Sequence, residues 1–244
     1  MVIHEHFARG ARARDVSAGP PIGSQPAFRL LEFPVGQHHL RIAPRASWYS
    51  TAAKRGLDLC VASTLLIALA PILVLVGLAI RFESAGPALF RQQRLGLNGK
   101  PFRIFKFRTM HVLEDGEHVQ QAEPNDKRVT RVGRFLRASS LDELPQFVNV
   151  LQGDMSLVGP RPHAVAHDRQ FGSLIANYAL RRQVKPGITG WAQVNGFRGP
   201  TPTVDMMRRR IDCDIWYVQN ASIRLDIGVL LRTPRELLRR RNAY

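Results

Sequence analysis

The longest run without a charged residue covers residues 59–80 and is almost entirely apolar, with Ser63 and Thr64 as its only hydroxyl residues. About 20 apolar residues are enough to cross the hydrocarbon core of a bilayer, and a helix of a soluble protein rarely lacks a polar face over such a length. The run therefore predicts a membrane-inserted helix, within a segment that we delimit as residues 47–81. Pro71 lies near its middle, where a proline removes a backbone hydrogen bond and bends a helix.

The path of this helix depends on its flanks, which are basic on both sides: Lys54 and Arg55 precede the run and Arg81 follows it. The positive-inside tendency would keep both ends on the cytoplasmic side. A helix that enters the bilayer, breaks at Pro71 and returns to the same face accounts for this pattern. A kinked helix that crosses the bilayer is the alternative, and the residues alone leave both open.

Beyond the run, apolar and polar positions alternate over residues 88–96 and 100–108, on either side of Asn98 and Gly99. Period-two alternation is typical of strands, and Asn-Gly is a favoured two-residue hairpin turn. This stretch therefore predicts a short β-hairpin.

The remaining pattern is mostly helical, and residues 1–46 have no sustained periodicity. Their Gly, Pro and Ser content predicts a flexible N-terminal arm, and no apolar segment near the start suggests a secretory signal. The predicted elements are a short helix or strand at 132–136, a helix at 147–151 ending at Gly153, a helical stretch from 163 to 182, an ordered loop with a possible short strand at 184–196, and amphipathic helices at 204–220 and 227–242. The fold class is thus α+β and mostly helical, with one N-terminal membrane helix and a domain at 82–244.

The charge balance of the 244-residue chain is strongly basic, with a net charge of +16. Such an excess favours an anionic partner: nucleic acid, an acidic membrane surface or a phosphorylated substrate. In residues 227–242, leucine pairs alternate with arginines, as expected of an interfacial helix on anionic membrane lipid. No recognition-helix motif accompanies the charge, so we expect no nucleic-acid partner. Cys60 and Cys213 lack metal-ligand spacing and predict neither a zinc site nor a disulfide.

Two adjacent carboxylates, Asp142 and Glu143, stand just before Pro145. Ser140 and Glu143 also fit a capping box, in which they would only close the N-terminus of a helix. Pro145 argues against that, because it would then lie past the first turn. If Leu144 caps the helix and Pro145 is its first residue, proline occupies its preferred position. The acids then lie just ahead of a helix N-terminus, which attracts phosphate.

These acids have the chemistry of a phosphate-processing site. A carboxylate can act as a nucleophile in covalent catalysis, giving an acyl phosphate when it attacks phosphorus, and Mg²⁺ prefers one or two carboxylates together with substrate phosphates. Asp142 and Glu143 are therefore candidate catalytic residues and candidate metal ligands. Cations upstream and downstream of the acids are candidate phosphate partners, since arginine binds phosphate bidentately: Lys106, Arg108, Arg137 and Arg161, the last fixed between Pro160 and Pro162.

Six motifs occur in order over residues 52–234: Lys-Arg-Gly-Leu-Asp at 54–58, Lys-Phe-Arg-Thr-Met at 106–110, Ser-Leu-Asp-Glu-Leu-Pro at 140–145, Gly-Pro-Arg-Pro at 159–162, Lys-Pro-Gly-Ile-Thr-Gly at 185–190 and Asp-Ile-Trp-Tyr at 214–217. The combination resembles the bacterial sugar transferase family, the monotopic polyprenyl-phosphate phosphoglycosyl transferases. One departure is Ala70 before Pro71, where the family often has serine.

The resemblance implies transfer of a sugar 1-phosphate from a UDP-sugar to undecaprenyl phosphate, with release of UMP, by a ping-pong route that needs Mg²⁺. It implies a re-entrant helix in the bacterial inner (cytoplasmic) membrane, with the catalytic domain on the cytoplasmic face. Carried over by position, Asp142 is the nucleophile and Glu143 the Mg²⁺ ligand. The implied substrate-binding residues are Lys106, Arg108, Arg137, Pro160, Arg161, Pro162 and Asp214.

Residues 191–201 resemble the version found in members that start exopolysaccharide with glucose. UDP-glucose is therefore the leading donor and UDP-galactose the second. The non-enzymatic alternative is a basic, membrane-attached binding or scaffold protein, which would need the arginines but not the adjacent acids. The sequence leaves a homo-oligomer open.

Overall fold

The computed structural model describes residues 52–111 and 126–238, so the predictions for residues 1–46 and for the last residues of the terminal helix lie outside the described part. Within these ranges the fold is α+β and mostly helical, as predicted. The elements are α1 (Ala52–Glu83), β1 (Leu89–Leu95), β2 (Pro101–Phe107), α2 (Arg131–Ser139), α3 (Gln146–Gln152), β3 (Ser156–Val158), α4 (Val165–Leu174), β4 (Gly187–Thr189), α5 (Trp191–Val194), α6 (Val204–Asn220) and α7 (Ile223–Leu238).

The predicted hairpin is confirmed by β1 and β2, which pair antiparallel with Leu89 opposite Phe107. The turn between them has positive φ angles of 53° at Asn98 and 76° at Gly99. Asparagine and glycine tolerate this left-handed conformation better than other residues do, which is why the dipeptide marks the turn.

The helix predicted from residue 163 to residue 182 is too long. Helix α4 ends at Leu174, and Asn177 then adopts a φ of 63° before a 3₁₀ turn, Tyr178–Gln183. A left-handed residue interrupts the α-helical hydrogen bonding, so the chain changes direction here. Helix α7 begins four residues earlier than predicted, since Ser222 Oγ accepts a hydrogen bond from Leu225 N at 3.2 Å.

Strand β3 was not predicted, although the glycine-rich segment that pairs with it was expected to hold a short strand. The two strands pair in parallel, with Ser156 opposite Gly187 and Val158 opposite Thr189. Each strand has three residues, too few for an alternating pattern to appear in the sequence.

Helix α1 is the one helix, among the residues described, that is long and apolar enough to cross a membrane. Pro71 lies inside it and does not end it. Its middle is not covered by protein: the exposed fraction is 77% for Ile67, 62% for Val74 and 65% for Leu75. Contiguous exposed apolar surface of this kind marks a contact with a membrane or another protein.

The N-terminal end of α1 is fastened to the rest of the domain by buried polar contacts. Lys54 forms an ion pair with Asp226 of α7. Arg55 donates to the backbone carbonyls of Val150 (2.6 Å) and Leu151 (2.7 Å), at the end of α3. Both carbonyls lie in the last turn of α3, where a helix leaves acceptors short of intrahelical donors, and Val150 O also accepts from Gly153 N at 3.1 Å.

The C-terminal end of α1 packs against the same domain. Ile80 is buried with Phe107 of β2 and Leu136 of α2. The carboxylate of Glu83 accepts a hydrogen bond from Val132 N, at 3.1 Å, in the first turn of α2. Both ends of the apolar helix thus contact one folded unit.

Candidate active site

The two acids lie on a single 3₁₀ turn, Leu141–Glu143, between α2 and α3. Ser140 ends α2 in the left-handed conformation, with φ 61°. Pro145 is the N-cap of α3, so the helix begins one residue later than predicted. The predicted order, two acids and then a proline at the start of a helix, is confirmed.

The capping-box alternative does not form. Ser140 makes no side-chain cap to the 3₁₀ turn, and its hydroxyl accepts a hydrogen bond from Arg198 instead. The carboxylate of Glu143 is engaged with side chains from other elements, described next. Neither the Ser140 nor the Glu143 side chain therefore serves as a helix cap.

Glu143 is held by two cations from different parts of the fold. Lys106 Nζ, on β2, lies 2.8 Å from Oε1 of Glu143, and Arg161 Nη1, after β3, lies 2.9 Å from its Oε2. Burial by itself raises the pKa of Glu143, but Arg161 and Lys106 outweigh it and hold the pKa well below its ordinary value. Glu143 is thus a fixed carboxylate anion.

Asp142 has a different environment, although it is the next residue. Its half-buried carboxylate accepts no hydrogen bond from the part of the chain that the structure describes. Burial and then the charge of Glu143 raise the pKa of Asp142 to about 6, against the opposing effect of Lys106 and Arg137. The turn therefore presents one paired carboxylate and one available carboxylate.

The ion pair between Lys106 and Glu143 depends on how α3 packs against β2. Asn149 fixes this packing. Asn149 is fully buried on α3. Its Oδ1 accepts from Phe105 N at 2.9 Å, and its Nδ2 donates to Arg103 O at 2.7 Å. The sequence reasoning missed this residue, since an asparagine inside an apolar helix has no distinctive local signal.

Arg161 is placed by a turn that packs directly against β4. A Cβ on Gly159 would lie 2.3 Å from Lys185 O, and one on Gly187 would lie 2.1 Å from Gly159 N. Only glycine allows the two backbones to approach so closely. This contact explains why Gly-Pro-Arg-Pro and Lys-Pro-Gly occur in one chain, and it buries Pro160 and Pro162 in the turn.

Asp214 does not lie beside the two acids. It is buried on α6, and Arg181 Nε donates to its Oδ2 at 2.9 Å. Arg181, which the sequence reasoning missed, also donates to the backbone carbonyl of Arg161. The structure thus places Asp214 behind the Pro-Arg-Pro turn, and its assignment as a substrate contact remains a prediction.

Arg108 is likewise separate from the acids. Its guanidinium donates to Ser84 O at 2.7 Å and to Ala85 O, so it closes the turn that follows α1. Of the seven predicted substrate contacts, the structure brings the side chains of Lys106, Arg137 and Arg161 together around the acid pair. The role of Arg108 as a substrate contact remains a prediction.

Two further arginines were not predicted as site residues: Arg198, close to Glu143 and Asp142, and Arg210, close to Asp214 and Arg161. Arg198 lies on the loop after α5, and Arg210 lies on α6 and donates to Gly199 O. Both belong to a chain with 35 lysines and arginines, so only the tertiary structure distinguishes them.

Among the described residues, no group of three or more His, Cys, Asp or Glu side chains could hold a metal ion. Asp142 and Glu143 are nevertheless two adjacent carboxylates, and a carboxylate has about four lone-pair sites. Glu143 can therefore accept from both of its cations and still offer an oxygen. This donor set fits a Mg²⁺ that takes its remaining ligands from substrate phosphates and water.

An available carboxylate with a raised pKa, next to an ion-paired one and surrounded by cations, is suited to chemistry on phosphate groups. The comparisons agree. The family model described as bacterial sugar transferase matches residues 49–240, most of the chain, and the chain belongs to this family. The resemblance inferred from the six motifs is confirmed.

Several curated relatives share 44–53% identity with the chain. The UDP-glucose:undecaprenyl-phosphate glucose-1-phosphate transferase of Caulobacter vibrioides is 53% identical over 92% of this chain and 82% of its own length. A protein of the same name from Escherichia coli is 52% identical over 74% of this chain, but over only 39% of its own length. The exopolysaccharide production protein PSS of Rhizobium leguminosarum bv. phaseoli is 44% identical, with 74% of this chain and 92% of its own length covered.

Proposed function

We propose that this protein transfers glucose 1-phosphate from UDP-glucose to undecaprenyl phosphate and releases UMP, as the first membrane step of exopolysaccharide synthesis. The available carboxylate of Asp142, beside a Glu143 fixed by Lys106 and Arg161, carries the proposal. The names of the relatives from Caulobacter vibrioides and Escherichia coli support the donor and the acceptor.

The first half-reaction forms a covalent intermediate on Asp142. A carboxylate oxygen of Asp142 attacks the phosphorus that carries the glucose, and the bond to the bridging oxygen breaks. UMP leaves with that electron pair. Glu143 cannot take this role as readily, because both of its oxygens accept hydrogen bonds from cations.

The second half-reaction returns the enzyme to its starting state. A phosphate oxygen of undecaprenyl phosphate attacks the same phosphorus, and the bond to Asp142 breaks with its electron pair returning to the carboxylate. Lys106, Arg137 and Arg161 surround the acids and stabilise the negative charge on the transferred group in both steps. Their fixed positions make this stabilisation effective, since little reorganisation is needed.

Mg²⁺ belongs to the proposal as the cofactor, held by Asp142 and Glu143 together with substrate oxygens. When bound, it would neutralise charge on the diphosphate. We expect Glu143→Gln to lose most activity, because a neutral amide is a poorer ligand for a hard cation. Full wild-type activity in excess chelator would contradict a role for the metal.

The packing of α1 supports a re-entrant path in the membrane. Lys54 at one end and Ile80 at the other both pack against the same domain, whereas Ile67 and Leu75 between them are exposed. A helix that crossed the bilayer would separate its two ends by the hydrocarbon core, about 30 Å thick. We therefore infer that α1 dips into the cytoplasmic leaflet of the inner membrane and that the domain remains on the cytoplasmic face.

Helix α7 supports an additional contact with anionic lipid. Its inner face contains the buried Asp226 and Val229, whereas its outer face exposes Ile227 and Leu231. Exposed arginines, including Arg232, accompany these apolar residues. Apolar side chains flanked by arginines are typical of a helix that lies in the bilayer interface.

The proposed function is tested by nucleotide release. Protein solubilised in detergent is supplied with undecaprenyl phosphate, Mg²⁺ and one UDP-sugar at a time, and UMP is measured. We expect UDP-glucose to give the highest kcat/KM. Faster turnover with UDP-galactose would reassign the donor, and no UMP from any UDP-sugar would favour a binding or scaffold protein.

A further inference from the structure

The Pro-Arg-Pro turn, residues 160–162, is held through its three backbone carbonyls, each bonded by a different part of the fold. The first carbonyl accepts a hydrogen bond from Gly187 N on β4 at 3.0 Å. The third accepts from Arg94 Nη1 on β1 at 3.3 Å. The middle carbonyl, that of Arg161, accepts from the side chain of Arg181. Because a proline has no backbone N–H to donate, these carbonyl contacts largely determine how the turn is placed.

Arg181 reaches the turn from the interior of the domain. It lies in the 3₁₀ turn Tyr178–Gln183 and is 3% exposed. Its Nε and Nη2 lie 2.9 Å and 2.8 Å from Oδ2 of Asp214 on α6. Its Nη1 lies 3.8 Å from Oδ1 of Asp168 on α4. One guanidinium thus connects two buried carboxylates to the backbone of the turn.

Asp168 is fixed by a chain of hydrogen bonds that returns to the turn. Tyr178 OH donates to Asp168 Oδ1 at 2.6 Å, and His163 Nδ1 lies 2.6 Å from the same tyrosine oxygen. Since the hydroxyl has only one proton, we assign the Nδ1–H tautomer to His163, which then donates to the tyrosine. Burial and the charge of Arg181 hold the pKa of His163 well below its ordinary value. This neutral histidine directly follows the turn in sequence.

Stability alone does not account for so many buried charges. A buried ion pair often contributes no more to stability than apolar residues of the same volume. The network does provide a fixed donor for the carbonyl of Arg161, whose side chain reaches the acids, with Nη1 at 2.9 Å from Oε2 of Glu143. Misplacing a reacting geometry by about 1 Å can cost about a hundredfold in rate. The backbone position of Arg161 therefore matters for the chemistry.

We propose that Arg181 is a positioning residue for Arg161 and that Asp214 is the counter-ion of Arg181, not a contact of the substrate. Arg181 holds the backbone of Arg161 so that its guanidinium is directed at Glu143 and at the transferred phosphate. The inference rests on the proposed function, in which Arg161 stabilises the negative charge of the transferred group. It gives Asp214 a role different from the one that the family resemblance implies.

A double-mutant cycle tests whether Arg181 acts through Arg161. Arg181→Gln should lower the kcat of UMP release about a hundredfold, with a smaller change in the KM for UDP-glucose. In the Arg161→Gln background the same substitution should lower kcat less than about twofold, because the guanidinium that it positions is gone. Equal factors in the two backgrounds would overturn the positioning role. Arg208→Gln, which changes an exposed arginine on α6, is the matched control and should leave kcat unchanged.

Asp214→Asn distinguishes a counter-ion from a substrate contact. The amide oxygen can still accept from Arg181, so kcat should fall only about tenfold, as when a charge-assisted hydrogen bond becomes a neutral one. This loss should also disappear in the Arg161→Gln background. A rise in the KM for UDP-glucose by the same factor in both backgrounds would instead establish Asp214 as a substrate contact and overturn its assignment as a counter-ion.

Arg181→Lys keeps the test decisive if Arg181→Gln does not fold. The lysine retains a cation between Asp168 and Asp214 but lacks the planar fork that bonds Asp214 and the carbonyl of Arg161 together. Its Tm should therefore stay closer to the wild-type value than that of Arg181→Gln, whereas kcat should remain at least about tenfold low. A wild-type kcat in Arg181→Lys would overturn the proposal.

A measurement without turnover separates this proposal from the function on which it rests. Heteronuclear NMR of the full chain in detergent detects the Nε–H groups of ordered arginines, and the signal of Arg161 is identified by its absence in Arg161→Gln. The signal should be sharp in the wild type and broadened in Arg181→Lys. An unchanged signal would overturn the positioning role. Wild-type protein that releases no UMP would refute the proposed function, while the NMR result would still report whether Arg181 orders Arg161.

Discussion

Asp142 and Glu143 are neighbours on one turn but meet different partners, because a 3₁₀ turn directs successive side chains to different sides of the chain. Glu143 reaches Lys106 and Arg161, and its pKa falls. Asp142 reaches neither at hydrogen-bonding distance, and its pKa rises. Two carboxyl groups with pKa values pushed apart are suited to different roles. The pair can therefore provide a nucleophile and a fixed anion from adjacent positions.

The nucleophile is tested by Asp142→Asn, which keeps the size of the side chain but removes the attacking charge. Turnover should fall by at least about a thousandfold, in the range found when a covalent nucleophile is removed. Mass spectrometry of the wild type, incubated with UDP-glucose alone, should show the mass of a glucose phosphate on the peptide containing Asp142. A variant with near-normal turnover would exclude Asp142 as the nucleophile.

The raised pKa of Asp142 predicts a pH dependence of the first half-reaction. The attacking form is the carboxylate, so the second-order rate constant of the single UMP burst should fall as the pH decreases through about 6 and level off above about 7. The measurement uses UMP release with donor alone, because a phosphate monoester such as the acceptor also titrates near pH 6. A flat profile down to pH 4.5 would mean that Asp142 keeps the ordinary pKa of an aspartate.

At the scale of elements, the pattern of apolar and polar residues predicted those helices and strands that form through local interactions. The hairpin, α3, α6 and the apolar part of α1 follow from periodicity and turn residues. The parallel pairing of β3 with β4 was missed, since it joins Ser156 to Gly187 through contacts that short strands do not signal. The site shows the same division. Asp142 and Glu143 form a local motif that the sequence reveals, whereas Arg181 and Arg198 are brought close to the motif only by the tertiary fold.

The attachment of α1 to α7 gives a prediction about stability. Lys54→Met would remove the cation that faces the buried carboxylates of Asp226 and Asp58, at a cost of about 3–5 kcal/mol. Thermal unfolding in detergent should show a lower Tm, and adding Asp226→Asn should recover part of it because one of the two buried negative charges is removed. Lys100→Met is the control, since Lys100 is exposed. An unchanged Tm for Lys54→Met would show that the ion pair contributes little.

At the scale of the whole molecule, short paths connect both ends of the apolar helix α1 to the site. Glu83, at the end of α1, accepts a hydrogen bond from the first turn of α2, and α2 leads directly into the turn that contains Asp142. At the other end, Arg55 binds the last turn of α3, which follows the same turn. Both ends of α1 therefore support the elements on either side of the acids, so under the proposed membrane insertion the depth of α1 would set the position of the acids relative to the lipid phosphate.

This arrangement predicts the topology that labelling should find. Single cysteines at Ala53 and Ala85, in a variant without Cys60 and Cys213, lie at exposed positions near the two ends of α1. If α1 re-enters, both should resist a membrane-impermeant thiol reagent in intact cells and react once the cells are opened. A cysteine at Val74, exposed in the middle of α1, should stay unlabelled even then, because lipid covers it. Labelling of the Ala53 position from outside intact cells would establish a helix that crosses the bilayer.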